Sequence, residues 1–141
     1  MKQTDFGPEP YVTSIPCEAA ENEHFRSALW TGKHLQMTLM CIPKNQEIGT
    51  ELHEDTDQFI RVEKGKALVK MGKCEQQLNY QHTMCVGDAV FIPAGTWHNI
   101  INIGSDSLKI SSIYAPSHHP RGTVHHEKEK IEPRCKKTNF Y

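Results

Sequence analysis

Residues 87–102 read Gly-Asp-Ala-Val-Phe-Ile-Pro-Ala-Gly-Thr-Trp-His-Asn-Ile-Ile-Asn, and this stretch decides the fold. Ala89 to Ile92 is a short run rich in β-favouring side chains. Pro93 ends it, because proline has no N–H to give to a ladder, and Gly95 permits a tight reversal. A second strand then runs from Trp97 to Ile103, with His98 near its start. Alternation puts His98, Ile100 and Asn102 on one face, and Trp97, Asn99 and Ile101 on the other. A single histidine in a strand is more often structural than chemical. A second half-site upstream changes that reading.

Written by spacing, the stretch is Gly87, five residues, Pro93, one residue, Gly95, two residues, His98, three residues, Asn102. This resembles the second motif of the cupin superfamily at every specified position. The resemblance implies an all-β chain folded as a cupin double-stranded β-helix, or jelly-roll barrel. It also implies a metal-ligand role for His98. The first cupin motif has two histidines one residue apart, then a glutamate, then a glycine after six residues. Counting back from Gly65 gives Gln58, then His53, then Glu51. The spacing is kept, but Glu51 stands for the first histidine and Gln58 for the glutamate. The opening glycine, expected near Asn45, is missing.

The resemblance thus implies a metal set of Glu51, His53, Gln58 and His98. Glu51 and His53 are two apart on an expected strand from Glu47 to Glu54, so they share a face. Exchanging glutamate for glutamine removes a charge, and Glu51 restores it. Two imidazoles with a carboxylate and an amide suit a divalent metal ion, with Fe, Mn, Ni and Zn all compatible. Two alternatives stand beside this. Gln58 and His98 also fit a metal-free polar core, and Asp55 or Asp57 could replace Glu51 as the carboxylate. Asp55 and Asp57 read better as turn residues.

The chain has 141 residues and suits one small domain, with a formal net charge of -1 that favours neither nucleic acid nor an anionic membrane. It has no apolar run of about 18 residues and no signal-peptide core at its start, so a cytoplasmic location is expected. Cys17, Cys41, Cys74, Cys85 and Cys135 are scattered and read as free thiols.

Residues 1–32 read as an N-terminal arm, 33–115 as the cupin barrel and 116–141 as a His-rich, charged segment. Expected strands are Leu35 to Ile42, Gln58 to Val62, Lys66 to Met71, Glu75 to Tyr80, Ala89 to Ile92, Trp97 to Ile103 and Leu108 to Tyr114. Leu35 to Ile42 is apolar on both faces, which suggests cover on both sides. Leu68, Val90, Ile92, Ile100 and Ile110 are the expected core. His118, His119, His125 and His126 read as a solvated tail, with mouth cover and an anion contact from Arg121 or His119 as the other reading.

The sequence also resembles small single-domain cupins labelled as like mannose-6-phosphate isomerase. His53-Glu-Asp-Thr-Asp-Gln-Phe-Ile-Arg-Val62 and Pro93-Ala-Gly-Thr-Trp-His-Asn-Ile-Ile-Asn102 carry that likeness. The label implies sugar-phosphate isomerisation and a homodimer. Fold alone does not fix the reaction. Two functions are open: a metalloenzyme of isomerase or dioxygenase type acting on a small oxygen-rich molecule, or a small-ligand binding or sensing module. Neither Arg61, outward by alternation, nor Arg121 gives a firm phosphate clamp.

Overall fold

Three glycines set reversals between strands. Gly65, Gly87 and Gly95 have φ of 96°, 92° and 82°, in the region that suits residues without a Cβ. The computed structural model describes residues 4–128. The elements in order are α1 (Ile15–Glu21), β1 (Arg26–Thr31), β2 (Gln36–Ile42), β3 (Asp57–Lys64), β4 (Ala67–Gly72), β5 (Tyr80–Met84), β6 (Ala89–Ile92), β7 (Trp97–Asn102), β8 (Leu108–Ala115) and β9 (Val124–His125).

The strands form a six-stranded sheet, β6-β3-β8-β2-β1-β9, and a three-stranded sheet, β5-β4-β7. All pairings are antiparallel. This is the expected all-β jelly roll. The core fills the space between the sheets, with Met40, Ile42, Ile60, Val62, Ile92, Leu108 and Ile110 facing Ala67, Val69, Met71 and Ile100. Val90, Ile92, Ile100 and Ile110 are buried as expected, but Leu68 is not. The pleat turns Ala67, Val69 and Met71 inward, so Leu68 takes the opposite face.

β2 is covered on both sides. Met40 and Ile42 enter the main core, while Leu39 packs with Ala19 of α1 and Leu29 of β1. Ser14 caps α1 by accepting from the Cys17 N–H, and Pro16 sits in its first turn. The stretch 1–32, read as an arm, therefore supplies α1 and the sheet strand β1. An arm reading misses β1 because Arg26 and Ser27 interrupt the apolar run. Glu75 to Tyr80 is not a strand; the partner of β4 is β5, from Tyr80 to Met84.

The expected strand from Glu47 to Glu54 is broken. Residues 46–51 run beside β7 through isolated bridges, Glu47 with Ile101 and Glu51 with His98. Gly49, with φ of 102°, interrupts the pleat. Its N–H donates to the Asn99 Oδ1, 2.9 Å away. Residues 129–141 lie outside the described residues, and with them Cys135. No helix among the described residues is long and apolar enough to cross a membrane.

Candidate metal centre

The two motifs are tied together by backbone. The Glu51 N–H donates to the His98 carbonyl at 2.8 Å, and the His98 N–H donates to the Glu51 carbonyl at 3.0 Å. Residues that exchange both bonds sit directly opposite each other. The Gly95 N–H donates to the His53 carbonyl at 2.9 Å, and the Ala94 N–H donates to Asp57 Oδ1 at 2.9 Å. The Pro-Ala-Gly turn thus fixes the backbone that carries His53. Asp57 is exposed and serves this turn, and Asp55 is exposed as well.

Glu51, His53 and His98 converge. Glu51 Oε1 lies 3.5 Å from His53 Nε2 and 3.9 Å from His98 Nε2. One donor atom from each falls within 4.8 Å of the others. Both imidazoles are buried, and Glu51 is partly exposed. His98 Nδ1 lies 2.9 Å from the Thr96 carbonyl, which can only accept. The proton is therefore on Nδ1, and the Nε2 lone pair faces the cluster.

The donor set fits a metal ion on its own evidence. Both ring nitrogens of His53, Nε2 of His98 and Oε1 of Gln58 are buried without a hydrogen-bond partner. Such atoms are costly to bury unless something fills them. Gln58 lies on β3, where its amide donates to Ser112 Oγ at 2.9 Å. Among the described residues it makes no hydrogen bond to Glu51, His53 or His98. Burial pushes the Glu51 carboxyl up, but contact with His53 and the nearby Arg26 charge outweigh it and hold it below the usual range. Burial pushes His98 down, against the Thr96 carbonyl that favours its charged form. The centre therefore combines a carboxylate with a neutral imidazole at neutral pH.

The segment after β8 is not a free tail: it folds back on the barrel at His118, His119 and Val124–His125, while residues 126–128 are exposed. The His118 ring lies 4.0 Å from His53 and 5.6 Å from Tyr114, centroid to centroid. His119 packs against Tyr114 at 5.2 Å. Gln36 pins both, donating to the His119 carbonyl at 2.8 Å and accepting from the His119 N–H at 3.0 Å and the His118 N–H at 3.3 Å. Val124 and His125 then join β1 as β9. Arg121 does not reach the centre; it donates to the carbonyls of Gly7 and Asp5. Burial, with Arg26 nearby, holds His119 down at about 3.

Sequence reasoning missed one residue beside the centre. Arg26, on β1, is buried, and its Nη2 lies 3.9 Å from Glu51 Oε2. The available signal was a lone cation inside the apolar run from Phe25 to Trp30.

Comparison with known proteins fixes the class. The family model described as Cupin domain matches residues 38–114. The chain belongs to the cupin family. It is 51% identical over 124 residues to the Bacillus subtilis (strain 168) protein with the name Uncharacterized protein YrkC, covering 88% of this chain and 67% of that one. It is 39% identical over 115 residues to Uncharacterized protein L612 of Acanthamoeba polyphaga mimivirus, covering 81% and 70%. The crystal structure of BH2720 from Bacillus halodurans superposes with a TM-score of 0.88 at 52% identity, covering 89% of this chain and 95% of that chain.

Proposed function

We propose that this cupin binds a divalent metal ion through Glu51, His53 and His98, with Gln58 as fourth donor, and acts on a small oxygen-rich molecule. The observation that carries this reading is the set of buried, unpartnered donor atoms around one carboxylate. Fe, Mn, Ni and Zn remain the candidate ions. A bound ion of this kind would polarise a carbonyl oxygen or bind O₂, which are the isomerase and dioxygenase readings. The chain's own residues do the rest. The Thr96 carbonyl fixes the His98 tautomer, the 94–95 turn holds His53, and His118 with Tyr114 packs over the His53 ring.

The sugar-phosphate reading gains less support. Arg61 is held by Glu63 at 2.7 Å, and Arg121 is spent on backbone carbonyls. A second reading is a non-catalytic binding or sensing module. It is favoured by one observation: among the described residues, no second carboxylate contacts the cluster to serve as base once Glu51 holds an ion.

Elemental analysis of untagged protein beside His53→Ala tests the proposal. Near-stoichiometric metal that is lost in the variant supports it. Fe then directs work to O₂ consumption, and Zn or Mn to isomerase assays. No metal after reconstitution favours the binding module.

The same reading carries a homodimer. β6 has a strand neighbour on one side only, and Phe91 beside it is 73% exposed, stacked edge-to-face on Phe59. Two copies meeting edge to edge about a two-fold axis would cover both rings. Sedimentation of the wild type and Phe91→Asp tests this, with a dimer expected only for the wild type.

A further inference from the structure

Arg26 is a buried cation without a close anion. It is 5% exposed, and its Nε is buried with no hydrogen-bond partner. Its other contacts are long: 3.4 Å from Nη1 to His125 Nδ1, 3.8 Å from Nη2 to Met40 Sδ, 3.9 Å from Nη2 to Glu51 Oε2, and 5.7 Å from Cζ to the centroid of the Phe25 ring, none of them an anion within hydrogen-bond reach. The Glu51 separation exceeds hydrogen-bond length. Arg61 shows the contrast, since it meets Glu63 through two bonds at 2.7 and 3.1 Å while remaining far more exposed. A guanidinium carries five N–H donors in a fixed fork, and burying it with those donors unfilled is expensive. Among the described residues, the fold thus places the least satisfied arginine in a buried position, where its charge is costly.

Glu51 shows the reach between the two charges. One of its oxygens faces the imidazole nitrogens of His53 and His98, and the other faces Arg26. A single small acid can therefore reach both the metal donors' focus and the guanidinium. With an ion in place, one carboxylate set against an ion and an arginine leaves net positive charge.

We propose that Arg26 anchors the carboxylate of a small acid whose adjacent oxygen, oxo, hydroxy or carboxyl, reaches the metal centre. This rests on the metal reading of the same site. The carboxylate matches the guanidinium fork in two parallel bonds. It also defines the oxygen-rich ligand more narrowly, as an oxalate-like, 2-oxo or 2-hydroxy acid.

The test titrates oxalate and, separately, imidazole onto the full chain loaded with Co(II), by calorimetry and visible absorption. Wild type, Arg26→Met and Arg26→Lys are compared, with metal content measured for each. Oxalate is expected to bind Arg26→Met at least about tenfold more weakly than wild type, as loss of a charge-assisted pair implies. Arg26→Lys should fall between. Imidazole, which binds as a neutral ligand, should bind all three alike, and the Co(II) spectrum before any ligand is added should be the same in all three. Equal oxalate affinity in all three overturns the proposal. So does a parallel loss of imidazole binding or metal content in Arg26→Lys, which would make Arg26 a positioning residue for Glu51. Inorganic phosphate binding more tightly than oxalate overturns the carboxylate assignment. Should Arg26→Met not fold, the Lys variant decides. A wild-type chain that takes up no Co(II) sinks the metal reading alone. Oxalate on the metal-free chain then decides Arg26, supported if wild type binds more tightly than Arg26→Lys and overturned if they are equal.

Discussion

The imidazole of His118 lies against that of His53, with ring centroids 4.0 Å apart and 55° between the planes. The segment after the last long strand therefore touches the candidate metal centre through a residue outside both motifs. His118 is not among the three convergent donors. Its expected role is to cover the centre and hold the His53 ring.

His118→Ala should thus keep the metal stoichiometry of the wild type. Loss of the ring contact should cost about 1 kcal/mol of stability, the usual worth of such a pair. A chelator should strip the variant faster, because the cover is gone. Elemental analysis with a stripping time course checks this, and a fall in stoichiometry would make His118 a ligand.

His98→Ala removes a bare Nε2 lone pair and leaves the strand otherwise intact. Metal content should drop to background while the circular dichroism of the β-fold is retained. A variant that keeps full metal stoichiometry would show that His98 is not a ligand.

Much of this was legible in the chain. The Gly87-to-Asn102 spacing gave the class, because a strand, a proline stop, a glycine turn and a second strand are local chemistry. Glu51, His53 and His98 were found because motif spacing encodes their convergence. Arg26 was not, since β1 reaches the centre only through sheet pairing far along the chain. His118 was named, but the mouth-cover reading was ranked below the solvated tail for the same reason: Gln36, on β2, pins it from a distance of many residues. The solvated-tail reading failed because composition shows polarity but not the backbone bonds that fold a polar segment back.

Acid should destabilise the metal-free protein in a defined window. Burial lowers His98, His118 and His119 below 6.5, His119 to about 3. Below 6.5 the unfolded chain protonates these rings while the fold keeps them neutral. Unfolding then takes up protons, so stability falls as pH drops through 6.5 and continues to fall towards the folded values. Glu51, held low in the fold, adds a loss in the same direction, present above its unfolded value and lost as pH falls through its folded one. Urea midpoints should be level above pH 7 and decline below it. His119→Gln should flatten part of that decline; an unchanged slope would exclude His119 as a contributor.

Asn102 separates structure from chemistry within one motif. Its amide donates to the carbonyls of Ile42, Pro43 and Asp106, and its Oδ1 accepts from the Gly104 N–H. Asn102→Ala orphans the buried Ile42 carbonyl and removes three part-buried bonds, and should cost about 2 kcal/mol. Metal stoichiometry should survive, because Asn102 stands at the opposite end of β7 from His98. Denaturation in urea reads the first effect and elemental analysis the second.

Gln58 is the proposed fourth donor, and its Oε1 is the buried atom without a hydrogen-bond partner on β3. Gln58→Glu puts a charged oxygen at that position without changing side-chain length. The Ser112 hydroxyl, which now accepts from the amide, can turn to donate to the carboxylate. If Gln58 faces the ion, metal affinity should rise about tenfold, as a neutral donor becomes an anionic one. In the metal-free state the added carboxylate should destabilise the fold, because position 58 is buried and offers the charge no cation in hydrogen-bond contact. Competition against a chelator measures the affinity, and urea midpoints with and without metal measure the stability. A variant no tighter than wild type would place Gln58 in the polar core and leave Glu51, His53 and His98 as the whole protein donor set.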